Sequence, residues 1–476
     1  MINLDKINYS KLAPFRFKKI GKDYLLTNEI GEYIFLNPRD FNKYLQGKSD
    51  KESIKYIELL QKNFISDKID NNKYTKKYFQ KYNYLFQQGP SLHIIVTTLR
   101  CDHRCIYCQT SSKRLEQKEF DMNIPTAKKV VNFIFSTSSP WIRIEFQGGE
   151  PLLNWPVLKY IVNYALALNK TKRKNLQLSL VSNFTLLDEQ KIKFLAERGV
   201  GLCTSLDGPE KLHNFNRRFL KGNSYQAVIL GLKKLQGFLK RQPLARQKKL
   251  EAIVTVSRYS LKYPKEIVDE YLKLGFESIF VRPAQSLSLD KETWQKIGFS
   301  PTDYLKFYKK LLDYIIKLNL KGEKIRELKT KILLEKILTN RDPDFLDLRS
   351  PCGAVLGQLA YHYNGDIYTC DEGRMLAEKG DFNFRLGNVN RTKYGEVIEH
   401  STTKVLALAS CLDGLPECCD CAWKPYCGVC PLDNHKRGNI YAKNNDSCQI
   451  KNGMFQLIFE RLKDEKAKSV FLSWLD

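Results

Sequence analysis

The chain has 476 residues, 43% hydrophobic and 12% aromatic, enough to bury more than one core and too apolar for a disordered chain. No apolar run is long enough to span a bilayer and the start lacks a signal-peptide pattern, so the 13 cysteines speak for metal ligation in a reducing cytoplasm rather than a disulfide framework. Formal charge is +26, from 78 basic and 52 acidic residues, with lysine spread along helical faces; a solvated surface is the simplest reading, ahead of nucleic acid or an acidic peptide partner, since no nucleic-acid module is recognisable.

Residues 1–85 read as a first unit. Tyr24–Asn28 and Glu32–Leu36 are β-rich runs flanking Glu29-Ile30-Gly31, a hairpin pattern; Asn37-Pro38 then starts a helix, and Ile54–Phe64 has a helical period. Across residues 86–295 short strands alternate with amphipathic helices. Strands are predicted at Leu92–Thr98, Ile142–Phe146, Leu176–Val181, Gly201–Leu206, Leu250–Val256 and Ser278–Val281. Helices are predicted at Pro125–Phe135, Val157–Leu168, Asp188–Glu197, Tyr225–Leu239 and Pro264–Leu274, and the densest basic stretch, Lys233–Lys249, reads as a helix end and loop. This alternation builds an α/β fold, a parallel sheet covered by helices, with sites at the carboxyl ends of its strands. Within residues 296–349 a lysine-rich helical stretch, Thr302–Leu338, leads to residues 350–476, which hold nine of the 13 cysteines and mark a metal-bearing region.

The loops after the strands carry the chemistry. The first is Cys101-Asp-His-Arg-Cys105-Ile-Tyr-Cys108. A four-iron cluster needs soft thiolates, and one tight loop can supply three of them and leave the fourth iron open. The rivals are buried or disulfide-bonded cysteines, or a zinc loop, which needs a fourth ligand such as His103. The second loop is Gln147-Gly148-Gly149-Glu150-Pro151, whose glycines allow close backbone approach to a ligand. Then come Ser182-Asn183 and Ser205-Leu206-Asp207-Gly208-Pro209, polar groups of the kind ribose hydroxyls need, or ordinary turn chemistry. Near the end, Cys352 and Cys370 flank Gly365, followed by Cys418, Cys421, Cys427, Cys430 and Cys448; the C-x2-C-x5-C-x2-C run among them would also suit a zinc ribbon. Cys203, inside a strand, reads as a buried core cysteine.

The cysteine loop, with Tyr107 before its third cysteine, and the Gly-Gly-Glu-Pro turn one strand later resemble the signature of the radical S-adenosylmethionine (SAM) superfamily. The resemblance implies a partial (β/α)6 TIM-type barrel and a [4Fe–4S] cluster on Cys101, Cys105 and Cys108. The open iron of that cluster would chelate the amino and carboxylate groups of SAM, and a 5′-deoxyadenosyl radical would abstract a hydrogen atom from the substrate. It also implies that Tyr107, Gln147, Gly148, Gly149, Glu150, Ser182, Asn183, Ser205, Asp207 and Arg217 form the SAM site. The glycine turn would receive the amino group, Arg217 (or its neighbour Arg218) the carboxylate, and Arg282 would border the adenine or the substrate.

The later cysteines resemble the SPASM extension of peptide-modifying members, which holds two auxiliary [4Fe–4S] clusters. By that resemblance Cys352, Cys370 and Cys430 belong to the first and Cys418, Cys421, Cys427 and Cys448 to the second. The first then lacks a fourth cysteine, unless Cys411 or Cys419 fills the place or the site is open to substrate. Two residues separate Cys427 from Cys430 where three are usual. Asp371, directly after Cys370, stands where one sulfatase-maturing branch has an aspartate that takes the substrate proton. The N-terminal unit resembles a winged-helix-like, α+β peptide-recognition element, with a plain structural cap as the alternative. Since it carries no SAM-site motif, its deletion is expected to weaken precursor binding and spare SAM cleavage.

From about residue 12 onward the chain resembles the radical SAM maturases of the His-Xaa-Ser peptide systems and their cyclophane-forming relatives. The resemblance runs through Pro14-Phe15-Arg16-Phe17, the segment from Gln147 to Asn154, Cys421-Ala-Trp-Lys-Pro-Tyr-Cys427 and the closing Phe471-Leu-Ser-Trp474. It implies SAM, three [4Fe–4S] clusters, a ribosomally made precursor peptide, a flavodoxin- or ferredoxin-type electron donor, and a side-chain crosslink as product. The alternatives are a sulfatase-type maturase that oxidises serine or cysteine, and a redox-sensing iron–sulfur regulator that binds peptide or nucleic acid.

Overall fold

The computed structural model describes residues 6–86, 89–242, 250–339, 341–443 and 445–475; the 243–249 part of the basic stretch lies outside them. Three antiparallel strands, β1 (Arg16–Ile20), β2 (Asp23–Thr27) and β3 (Tyr33–Leu36), open the chain. β1 and the helix Asn71–Lys81 had no counterpart in the sequence reading; the hairpin and the helices Pro38–Leu45 and Ile54–Gln61 did. Asn37 and Ser53 cap those two helices by accepting from Asp40 N and Tyr56 N. Leu26, Ile34, Leu36, Phe41, Tyr44 and Phe64 form a small core of their own.

The unit is nevertheless not free-standing. Ile20 and Leu25 belong to the large core that also holds Trp423, Tyr426 and Phe459. Thr27 Oγ1 donates to Ala422 O (2.8 Å), Arg16 Nε to Cys419 O (2.5 Å) and Tyr426 Oη to Gly31 O (2.9 Å), and Lys424 pairs with Glu29 at 2.9 Å. The first unit is thus sutured to the cysteine-rich segment, which undercuts the expectation that it can be removed cleanly.

The remaining strands are β4 (Leu92–Thr98), β5 (His103–Cys105), β6 (Trp141–Gly148), β7 (Asn175–Ser182), β8 (Val200–Ser205), β9 (Arg217–Phe219), β10 (Glu251–Val256), β11 (Ser278–Pro283), β12 (Arg326–Glu327), β13 (Gln358–Tyr361), β14 (Asp366–Tyr368) and β15 (Arg385–Asn388). All but β5 and β9 join one ten-stranded sheet in the order β12-β11-β10-β8-β7-β6-β4-β13-β14-β15. The six strands expected from the sequence lie side by side and parallel, with the expected helices between them. Along β6, Ile142, Ile144 and Phe146 are buried beneath helices that supply Val130, Ile134, Leu158 and Ile161, while Arg143, Glu145 and Gln147 alternate onto the other face.

Two features extend this frame. The linker is not one helical stretch: the helix Pro301–Asn319 ends just before Gly322, whose φ is +96°, and β12 then adds parallel to β11 before the helix Leu328–Leu338. On the opposite side β13 pairs in parallel with β4, so the region after residue 350 continues the barrel sheet between Cys352 and Cys370. The closing helices pack back on the linker, with Trp474 buried and its indole N–H donating to Asn319 Oδ1 at 3.2 Å. Among the described residues no helix is long and apolar enough to cross a membrane.

Candidate functional site

The chain leaves β4 at Thr98 and enters the cysteine loop, whose cysteines form no disulfide. Main-chain bonds pin the loop at three points: Cys101 N to Lys113 O (3.2 Å), Ile106 N to Asn216 O (2.9 Å) and Cys108 N to Cys105 O (3.1 Å). The short β5–β9 ribbon sets Cys105 opposite Arg217. Burial raises the pKa of Cys101, and it pushes that of Cys105 up to about 12, with Cys108 and Asp207 adding to it and Arg217 opposing. Such gathered thiols are costly as bare thiolates and suit a cationic centre, which deprotonates them outright. The donor set fits an iron–sulfur cluster. It fits zinc less well: Cys101, Asp102 and His103 do place ligand atoms within 4.8 Å of one another, but His103 Nδ1 is engaged by Asp102 (2.9 Å) and Nε2 by Ser224 (2.8 Å).

The glycine turn lies directly against this loop. Gly149 N donates to Thr98 O (2.9 Å) and Glu150 N to Arg100 O (2.8 Å). A Cβ on Gly148 would stand 2.4 Å from Thr98 O, and one on Gly149 2.1 Å from Arg100 O. The two glycines therefore let one backbone segment lie against the other. Glu150 is buried, with Oε1 accepting from Ser182 Oγ (2.8 Å) and Leu152 N (3.0 Å) and Oε2 from Asn183 N (2.8 Å). Burial, partly opposed by those bonds, raises its pKa to about 7.

Asn183 Nδ2 donates to Asp102 (2.6 Å) and Thr185 Oγ1 to the other Asp102 oxygen (2.5 Å). Burial alone would raise the pKa of Asp102, but hydrogen bonds from His103, Thr185 and Asn183 outweigh it and hold the carboxyl below its ordinary value. Ser182 and Asn183 thus spend their side chains bracing Glu150 and Asp102. Gln147 Nε2 donates to Glu145 (2.5 Å), and Ser205 ends β8 opposite Ile253. Asp102 and Thr185 escaped the sequence reading; the one available signal was an acid lying between two ligand-type cysteines.

A second buried knot closes the other side. Asp207 accepts from Tyr107 Oη (2.7 Å), Asn216 Nδ2 (3.0 Å) and Thr255 N (3.3 Å). Arg217 Nη1 donates to Tyr107 Oη (3.1 Å), while its Nε is buried without a partner. Burial, which disfavours the guanidinium charge, is outweighed by Cys105, Tyr107 and Asp207. An orphaned donor on a buried cation beside the cysteine loop suits an anionic ligand such as a carboxylate. Arg218, by contrast, is exposed on β9.

The late cysteines sort into two groups. Cys352, Cys370 and Cys430 pack together; burial raises all three thiols, Cys430 and Cys352 raise Cys370 further, and Cys352 raises Cys430. Burial raises Cys418, Cys421 and Cys448, and neighbouring thiols add to it: Cys427, Cys421 and Cys448 act on Cys418, Cys427 and Cys448 on Cys421, and Cys427 on Cys448. Cys430 therefore goes with Cys352 and Cys370, against the zinc-ribbon alternative, which requires it beside Cys418 and Cys421. Cys419 Sγ turns to Pro416 O (3.3 Å), and neither Cys411 nor Cys419 is among the groups that shift the first set. Asp371 receives Arg374 Nε and Nη2 on one oxygen, at 2.9 and 2.7 Å, in the first turn of the helix Asp371–Ala377.

A cavity of about 210 Å³ runs from the end of β11, past Arg282, to Cys430, Cys427 and Cys418. Gln109, next to Cys108, donates to Gln285 O (2.8 Å) and accepts from Ser288 Oγ on its own carbonyl (2.8 Å), so the cysteine loop is fastened to the segment lining that cavity. Arg282 therefore borders the cavity. Cys203 is half-buried within β8, opposite Glu251 of β10; burial chiefly raises its pKa, with Glu251 and Glu145 adding to it and Arg282 opposing.

Residues 95–241 match the radical SAM superfamily model. The cysteine-type anaerobic sulfatase-maturating enzyme of Clostridium perfringens (strain 13 / Type A) is 26% identical over 384 residues, 78% of this chain and 97% of the relative. The radical SAM cyclopropyl synthase TigE of Paramaledivibacter caminithermalis is 22% identical over 213 residues, 41% of this chain and 42% of its own. Among solved structures, native anSMEcpe with bound AdoMet has a TM-score of 0.65 at 21% identity, covering 80% of this chain and 100% of that one. Streptococcus suis SuiB bound to precursor peptide SuiA has a TM-score of 0.53 at 14% identity, covering 92% and 99%.

Proposed function

We propose that this chain, a radical SAM enzyme, modifies a ribosomally made precursor peptide and joins two of its side chains through a cyclophane-type carbon–carbon bond. The observation that carries the reading is the meeting of the cysteine loop, the Gly148-Gly149-Glu150 turn and the buried Arg217 at the carboxyl ends of neighbouring strands. Cys101, Cys105 and Cys108 would hold one [4Fe–4S] cluster. Glu150 and the backbone of Gly148 and Gly149 would receive the amino group of SAM, and Arg217 Nε its carboxylate. Ser205 and Gln147 would face the ribose, while Ser182, Asn183, Tyr107 and Asp207 hold these groups in place. Cys352, Cys370 and Cys430, and separately Cys418, Cys421, Cys427 and Cys448, would hold two auxiliary clusters. When bound, SAM at a reduced cluster supplies the radical that takes a hydrogen atom from the substrate, and the auxiliary clusters supply an acceptor for the surplus electron.

Asp371, oriented by Arg374, would collect the proton released as the new bond restores aromaticity. The peptide core would lie in the cavity beyond β11, its leader on the N-terminal unit, and a flavodoxin- or ferredoxin-type protein would deliver the electrons. The sulfatase-type reading is favoured by one observation, Asp371 directly after Cys370, together with the C. perfringens relative.

Mass spectrometry of a precursor encoded beside the enzyme and co-expressed with it separates the two. A crosslink removes two hydrogens, about 2 Da, and links two segments of which one supplies an aromatic ring. The same loss confined to one serine or cysteine would favour the sulfatase-type reaction, and an unchanged mass would contradict both. Failure of the reconstituted protein to cleave SAM would support the regulator instead.

A further inference from the structure

Three of the four ligands that a four-iron cluster ordinarily takes from protein are present at Cys352, Cys370 and Cys430, and no other cysteine joins them. The same place holds an acid that the chemistry above leaves idle. Glu372 follows Cys370 by two residues, in the first turn of a helix whose N-cap is Cys370 itself, the thiol accepting from Gly373 N at 3.4 Å. That cap fixes where Glu372 starts relative to the sulfur. Its side chain lines the cavity together with Cys430, and apart from its own backbone it makes no hydrogen bond or ion pair among the described residues.

We propose that the Glu372 carboxylate is the fourth protein ligand of the cluster held by Cys352, Cys370 and Cys430. The inference rests on the auxiliary-cluster reading above. A carboxylate carries the same formal charge as the absent thiolate, so the charge of the site is kept. It is a harder donor, so the iron it holds remains more open to exchange with a softer ligand. Asp347 also lines the cavity, but it acts on Cys352 alone of the three thiols, whereas Glu372 acts on all three. Lys451 lies between the two cysteine groups, its ammonium on Gly428 O at 2.7 Å, and balances the negative charge gathered there.

The test uses full-length, anaerobically reconstituted protein in which Cys101, Cys105 and Cys108 are replaced by alanine, so that only auxiliary clusters contribute signals. This background should hold about 8 irons, four per cluster. Glu372→Gln, nearly isosteric, should keep that content. It should change the reduced-state electron paramagnetic resonance spectrum of one cluster, shift its midpoint potential upward, and let cyanide bind at lower concentration than in the Glu372 background. Glu372→Cys should give a spectrum of the all-cysteine type. If iron stays at two clusters and Glu372→Gln leaves spectra, potentials and cyanide binding unchanged, or if Asp347→Asn produces the change instead, the inference is overturned and the two-cluster reading survives. An iron content of one cluster or none would overturn both.

Discussion

At Gly149 the space for a side chain is already taken: an added Cβ would meet the Arg100 carbonyl at 2.1 Å, and that carbonyl accepts from Glu150 N. Gly149→Ala must therefore push the glycine turn off the cysteine loop, a steric cost of about 1–3 kcal/mol. Iron at the loop should fall with it. Denaturant unfolding and iron analysis against Gly395→Ala, where nothing lies within 4 Å, would read both effects.

Glu150 gives a pH signature. Its pKa rises from 4.5 to about 7 on folding, chiefly through burial, so the folded protein binds the extra proton between those values. Stability should fall as pH rises across that window and level off above it, by on the order of 3 kcal/mol for this group. Glu150→Gln should flatten the difference, measured as unfolding free energy from pH 4.5 to 8. An unchanged slope in the variant would mean that Glu150 ionises freely in the fold. The loop cysteines and the glycine turn were legible because each set of partners lies within a few residues. The inward commitments of Asn183 to Asp102 and of Asp207 to Tyr107 were not, because they join positions 81 and 100 residues apart.

At the scale of elements, the barrel strands and their helices were legible from period alone, since each buries a stripe such as Val130, Val131 and Ile134 under a neighbour close in sequence. The exceptions are pairings between distant segments. β13 meets β4 although the sequence between them spans most of the barrel, and the three-residue β5 and β9 carry too little pattern to be seen. β1 was missed because Arg16, Lys18 and Lys19 interrupt its apolar alternation; it is an edge strand whose basic side chains reach outward and toward the cysteine-rich segment. Deleting residues 1–85 should therefore do more than remove a docking module. It strips Ile20 and Leu25 from the large core and the hydrogen bonds at Cys419 and Ala422 from the segment bearing Cys418 and Cys421. The truncated protein should unfold at lower denaturant and lose iron from that group. A truncation with unchanged stability and iron would show the suture to be dispensable.

Over the whole molecule, the cysteine loop, the cavity and the two later cysteine groups follow one another from the end of β4 to the closing helices, with Gln109 and Gln285 joining the first two. On the proposed reading this succession would order the chemistry: a radical generated at one end, the peptide in the cavity, and surplus electrons leaving at the other. Part of the basic excess is solvated surface, with lysines in exposed helical pairs such as Lys296 with Glu292 and Lys309 with Asp313. The most direct measurement is 5′-deoxyadenosine formation from SAM, with dithionite as reductant, by the reconstituted wild type and by the variant in which Cys101, Cys105 and Cys108 are alanine. The expected result is turnover by the wild type and none by the variant, while the variant keeps the iron of residues 350–476. Continued 5′-deoxyadenosine formation by the variant would contradict the assignment of that loop as the radical-generating centre.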